Sequence, residues 1–295
     1  MKPVFTIIFV LALSLTACSP QKYDTQLEIS TPHIDALVSP SAPSVKPIIH
    51  SVTPTITQQL STATAAYTST VTHSPTPEVK TELINFTTQD NITLAGTLFG
   101  DGEPIVILAH MGMPGVDQRS WQPFAQLLAT RGYTALTFDF RGRGESAGIL
   151  EYNKLPYDMD AAIHYLNDHG YSRIVCMGAS MGGTACMRAA LDHDLLGLGV
   201  IASTLSNEKP NEVSLTEVRQ LDLPKILVYG LSDFPAVVID MKKIAEIAPE
   251  PKMVQVYQTN AHGTALFNTE YGSHFTELLI DYLDAVRSGS PLPTP

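Results

Sequence analysis

Ile174-Val-Cys-Met-Gly-Ala-Ser-Met-Gly-Gly183 is the stretch from which the rest of the chain can be read. An apolar run ending at Met177 has the character of a buried strand, and a helix-compatible run begins at Thr184, so Gly178-Ala-Ser-Met-Gly182 must make the turn between them. Small residues stand two before and two after Ser180, as a sharp strand-to-helix turn requires where neighbouring backbone comes close. A serine held at such a bend is presented as a nucleophile, and Ser180 is the first candidate catalytic residue.

Strand and helix patterns alternate on either side of this turn. Leu83 to Thr88 and Ile92 to Phe99, separated by Gln89-Asp-Asn91, predict a hairpin. Short apolar or β-branched runs follow at Ile105–Ala109, Thr134–Phe138, Arg173–Met177, Leu198–Ala202, Lys225–Tyr229 and Met253–Tyr257, as expected of strands buried on both faces. Between them lie helical periodicities at Trp121–Thr130, Tyr157–Asp168, Met181–Asp192, Val237–Ile247 and Ser273–Val286. The expected fold class is α/β: an eight-stranded, mostly parallel sheet with helices on both faces.

Composition limits the partners. With 44% hydrophobic residues in 295, the chain can bury a large core. Its net charge of −11 falls almost wholly beyond residue 80; no basic patch tracks along it, which argues against nucleic acid as a partner. Residues 1–17 have the form of a signal peptide: Lys2, then an apolar run from Val4 to Leu15 too short to span a bilayer, then small residues. Leu15-Thr-Ala-Cys18 resembles the bacterial lipobox, which implies lipid attachment at Cys18. The expected location is outside the cytoplasm, tethered to the cell membrane as a lipoprotein. Residues 18–80, rich in Ser, Thr and Pro, read as a disordered stalk reaching roughly 40 to 50 Å as a coil. The catalytic domain is expected over 81–288 and a disordered tail over 289–295.

From about Leu83 to Arg287 the chain resembles the α/β-hydrolase superfamily, in particular its capless, dienelactone-hydrolase-like esterases. Three motifs carry the resemblance in the family's order: Ala109-His110-Met-Gly112, like the oxyanion loop; Phe138-Asp-Phe-Arg-Gly-Arg-Gly-Glu-Ser146, like the Asp-x-Arg-Gly-x-Gly-x-Ser segment; and the Ser180 turn, like the nucleophile elbow. The family order of serine, acid and histidine implies His262, in a loop after the last strand, as base, and Asp233, just past Lys225–Tyr229, as the orienting acid. Glu208 is the alternative acid. Asp139, in the Arg-Gly turn, is expected to be structural, and His110 to shape the oxyanion loop. Backbone N–H groups of Met181 and Met111 are the expected oxyanion donors, with Gly112 the alternative to Met111.

The activity implied is hydrolysis of a carboxylic ester or related acyl bond on a small molecule through an acyl-enzyme, with no cofactor and no metal. A peptidase or amidase on the same triad and a non-catalytic exported binding module are the alternatives. Dehalogenases and epoxide hydrolases of this fold use an aspartate where this chain has Ser180. Only about twenty residues, Ser203 to Asp222, separate the sixth strand from the next. No substantial cap fits there, and an open site favours short-chain substrates. Cys176 and Cys186 are read as two buried free thiols, with a disulfide as the alternative.

Overall fold

The computed structural model describes residues 79–205 and 211–294. The signal segment, Cys18, nearly all of the expected stalk, and Glu208 lie outside the described residues. The hairpin comes first: β1 (Thr81–Thr87) and β2 (Thr93–Phe99) pair antiparallel, Thr81 opposite Phe99. Thr88 closes it, accepting the Ile92 N–H on its hydroxyl at 3.0 Å, while Asn91 takes a φ of 64°, which asparagine tolerates better than most residues. Along β1 only Ile84 and Phe86 are buried, the period-2 pattern of an edge strand with one face on the core.

The remaining strands are β3 (Ile105–Ala109), β4 (Thr134–Phe138), β5 (Ile174–Ala179), β6 (Gly197–Ile201), β7 (Lys225–Gly230) and β8 (Lys252–Tyr257). Every residue of β3 to β7 is buried, so these strands carry no polar alternation. The sheet order is β1-β2-β4-β3-β5-β6-β7-β8. Only the β1–β2 and β2–β4 pairs are antiparallel. Because the chain runs from β3 out to β4 and returns past it to β5, the loops after β3 and β5 become neighbours at one edge.

Helices α1 (Gln122–Thr130), α2 (Leu155–Asp168), α3 (Met181–Asp192), α4 (Leu215–Val218), α5 (Pro235–Ile247) and α6 (Gly272–Ser288) connect or flank the strands. Proline stands in the first turn of α1, α2 and α5, where its missing N–H costs no hydrogen bond. Phe275, Leu279, Tyr282, Leu283 and Val286 form the buried stripe of α6, which ends at Gly289 with a φ of 67°. The buried Tyr282 hydroxyl accepts the Leu198 N–H at 2.8 Å and donates to Pro224 O at 2.9 Å, binding α6 to the sheet.

Two expectations need correction. Cys176 and Cys186 form a disulfide rather than standing as free thiols: the sharp turn after β5 folds α3 back along the strand and brings the two Cα atoms to 5.5 Å, a separation that a disulfide spans. Trp121 precedes α1 instead of opening it, its buried indole N–H donating to Ala109 O at 3.0 Å at the end of β3. Residues 289–294 form no helix or strand, but Leu292 is partly buried against the core. Between β6 and β7 the four-residue α4 is the sole helix among the described residues, closed by a capping box of Ser214 and Glu217.

Candidate active site

Ser180 sits between β5 and α3 with φ 52° and ψ −118°. An L-residue held there is strained, and the surrounding bonds hold it: its N–H donates to Ile201 O at 2.8 Å, and its carbonyl accepts from Gly183 and Thr184 at 2.9 and 3.1 Å. The flanking glycines are obligatory for crossing reasons. A Cβ at Gly178 would come within 2.3 Å of Gly182 O, and one at Gly182 within 2.3 Å of Ala109 O. The elbow thus closes against itself on one side and against the end of β3 on the other.

Past β7, the Leu231 and Ser232 N–H groups donate to Tyr257 O and Thr259 O, extending the β7–β8 pairing just far enough to aim the next residue, Asp233, at the β8 loop. The Asp233 side chain is 1% exposed. Its Oδ1 accepts the Phe234 N–H at 2.7 Å, and its two oxygens lie 3.0 and 2.9 Å from His262 Nδ1. Since a carboxylate only accepts, Nδ1 carries the proton, and in the neutral imidazole Nε2 keeps its lone pair. Phe234, half exposed, stands edge-on to the imidazole at 5.1 Å. Gly263, with φ 56°, brings the histidine loop onto the elbow: a Cβ there would lie 3.2 Å from Ala179 Cβ and 2.8 Å from Met111 Sδ. Asp233 and His262 are therefore paired directly, and the loops bearing His262, Ser180 and Met111 meet at Gly263.

The loop His110–Gly112 is fixed from behind. His110 is fully buried; its Nε2 accepts the Phe140 N–H at 3.1 Å, so Nδ1 donates to Met111 O at 2.9 Å. Arg143 donates to Gly112 O at 2.8 Å. The Gly112 carbonyl is thus turned onto the Arg-Gly turn, while that of Met111 is held by the ring of His110, which the Phe140 N–H fixes in turn. Among the described residues, neither the Met111 nor the Met181 N–H has a hydrogen-bond acceptor, and Met181 begins a helix, where the dipole favours negative charge. Asp139 has the structural part expected of it, taking the Gln118 N–H at 2.8 Å and the Glu145 N–H at 2.9 Å. Arg141, buried, pairs with Asp158 at 2.7 Å and Asp90 at 2.8 Å. His193 binds Asp160 and His274 binds Tyr257, both away from the elbow.

Burial lowers the His110 pKa from its ordinary value of 6.5, which sets a pH dependence. The unfolded chain takes up this proton first as pH falls, so stability contributed by neutral His110 is complete above 6.5 and is lost below it. The denaturant midpoint is expected to drop between pH 7.5 and 5.5 by more in the native sequence than in His110→Gln. Equal drops in the two proteins would show that another group governs the decline.

Two residues at the site escaped sequence reasoning: Phe234 and Tyr152. Phe234 could have been found, since the residue after the acid shares its loop. Tyr152 belongs to no motif; its hydroxyl, 3.3 Å from where a Cβ on Gly112 would stand, comes from the long connection after β4.

An elbow serine and a histidine–carboxylate pair at the carboxyl ends of a parallel sheet of this order define an α/β hydrolase. The chain belongs to the serine aminopeptidase S33 family, whose model matches residues 103–269, more than half its length. It is 26% identical over 253 residues to YfhR, an uncharacterised protein of Salmonella typhi, covering 73% of this chain and 85% of that one. It is also 26% identical over 198 residues to the quorum-quenching protein AidA of Acinetobacter baumannii, covering 64% of this chain and 59% of that one. Among solved structures, the Pyrococcus furiosus esterase Pf2001 superposes with a TM-score of 0.58 at 19% identity, over 70% of this chain and 92% of that one.

Proposed function

We propose that the protein is a serine hydrolase that cleaves a carboxylic ester or related acyl bond on a small molecule through an acyl-enzyme. Ser180 Oγ attacks the carbonyl carbon while His262 Nε2 takes its proton; the tetrahedral oxyanion is held by the Met111 and Met181 N–H groups. Collapse expels the alcohol, which leaves with the proton from His262. Water then repeats the sequence on the acyl-enzyme and frees the acid and Ser180. Asp233 keeps the imidazole in the Nδ1–H tautomer and stabilises its charged form. The observation that carries this reading is the Asp233–His262 pair, with both carboxylate oxygens within 3.0 Å of Nδ1. The esterase and quorum-quenching names of the similar proteins support an acyl substrate.

A second reading, cleavage of an amide, is favoured by the aminopeptidase description of the family. The two separate on one panel: p-nitrophenyl esters of two to sixteen acyl carbons against aminoacyl p-nitroanilides. Faster turnover of the anilides would replace the ester reading. A maximum at long acyl chains would count against an open, capless site, because each methylene adds about 0.8 kcal/mol only where it is fully buried.

We also propose that the protein is exported and held at the membrane by lipid on Cys18, a reading supported by Leu15-Thr-Ala-Cys18 and the preceding apolar run. Cys18→Ser is expected to abolish incorporation of labelled palmitate and release the protein from the membrane fraction. Persistent membrane association without label would assign the tether to something other than Cys18.

A further inference from the structure

Tyr152 opens a single 3-10 turn, Tyr152–Lys154, that leads into α2. The turn is anchored at both ends. Glu151 lies 3.8 Å from the buried Arg141 guanidinium, itself fixed by Asp90 and Asp158, and the buried Leu155 donates its N–H to Tyr152 O. The side chain so positioned reaches the oxyanion loop. A Cβ at Gly112 would stand 3.3 Å from Tyr152 Oη, 3.1 Å from Met181 Sδ and 3.5 Å from Met181 Cβ. Gly112 adjoins Met111, so the phenol lies one residue from the first of the N–H groups assigned above to the oxyanion and near the side chain of the residue that carries the second. Among the described residues the Tyr152 hydroxyl makes no hydrogen bond. A fixed phenol without a protein partner, at the margin of a site where negative charge develops, has a donor to spare.

We infer that Tyr152 is a third oxyanion donor, its O–H adding to the two backbone N–H groups as the substrate carbonyl becomes tetrahedral. The inference rests on the reading of Ser180 as nucleophile. A donor held in place before reaction costs no reorganisation at the transition state, and losing one typically lowers kcat by 10²- to 10³-fold. A phenol from the connection after β4 would also account for the glycine at 112, since a Cβ there would crowd the hydroxyl at 3.3 Å and Met181 Sδ at 3.1 Å.

The test uses the full chain with Tyr152→Phe, which removes only the oxygen. On p-nitrophenyl acetate, kcat is expected to fall by about 10²-fold with KM little changed, the sign of an interaction made in the transition state alone. A short alkylboronic acid, which adds reversibly to Ser180 and sets an oxygen where the oxyanion forms, is expected to bind more weakly by a similar factor. The thermal midpoint is expected to stay put. Unchanged kcat and boronate affinity would overturn the inference; so would a loss of rate matched by a lowered thermal midpoint and unchanged boronate affinity, which would make the hydroxyl structural. Labelling of Ser180 by a fluorophosphonate separates the two failures. A native protein that neither turns over nor labels brings down the nucleophile reading and this inference with it, whereas an active, labelled native protein with an unaffected Tyr152→Phe brings down the inference alone.

Discussion

Ser180→Ala is expected to lose on the order of 10⁶-fold in kcat on p-nitrophenyl acetate, the size of effect seen when one member removes the function of a cooperating triad. The substitution deletes a single oxygen. Alanine accepts the same backbone at φ 52° about as well as serine does, and Ala202 nearby already sits at 49°, so the fold is expected to survive with an unchanged unfolding midpoint. Folded but inactive protein, with no fluorophosphonate label, is the outcome expected. Turnover within tenfold of the native rate would mean that another group attacks.

Asp233→Asn is expected to cost about 10⁴-fold, for a different reason. The carboxylate is buried and accepts from both the His262 Nδ1–H and the Phe234 N–H. An amide in its place keeps one oxygen for Phe234 and turns its NH₂ toward the imidazole. Nδ1 must then accept, and the proton moves to Nε2, where a lone pair is needed to receive the Ser180 proton. Steady-state rates for Asp233→Asn and Glu208→Gln decide the assignment together. A silent Asp233→Asn beside a damaged Glu208→Gln would transfer the orienting role to Glu208.

Much of the frame was legible because it is written in local patterns. β3, β4 and α3 run within the limits read from apolar run length and periodicity, and the hairpin follows from its Gln89-Asp-Asn91 break. The elbow was legible too, since Gly178 and Gly182 are dictated by contacts under 2.5 Å that no other residue could make. What could not be read is what depends on distance through space. Cys176 and Cys186 look alike as thiols or as a disulfide until the angle between β5 and α3 is known. Tyr152 reaches Gly112 across the thirty-nine residues that separate them in the chain, and nothing in its neighbourhood marks it. Ends of elements also moved: α2 begins at Leu155 rather than Tyr157, because Pro156 fits a first helical turn and carries the helix upstream.

The left-handed backbone at position 180 has a consequence for the chemistry this scaffold can adopt. A side chain unbranched at Cβ is strained at φ 52° but can be held there by the bonds around Ser180, whereas a β-branched one meets the backbone on both sides and becomes a true outlier. Serine and cysteine are therefore interchangeable as shapes at the elbow, and threonine is not. A single codon change can turn this frame toward thiol chemistry, while the route to a threonine nucleophile is closed by a torsion angle before any question of reactivity arises.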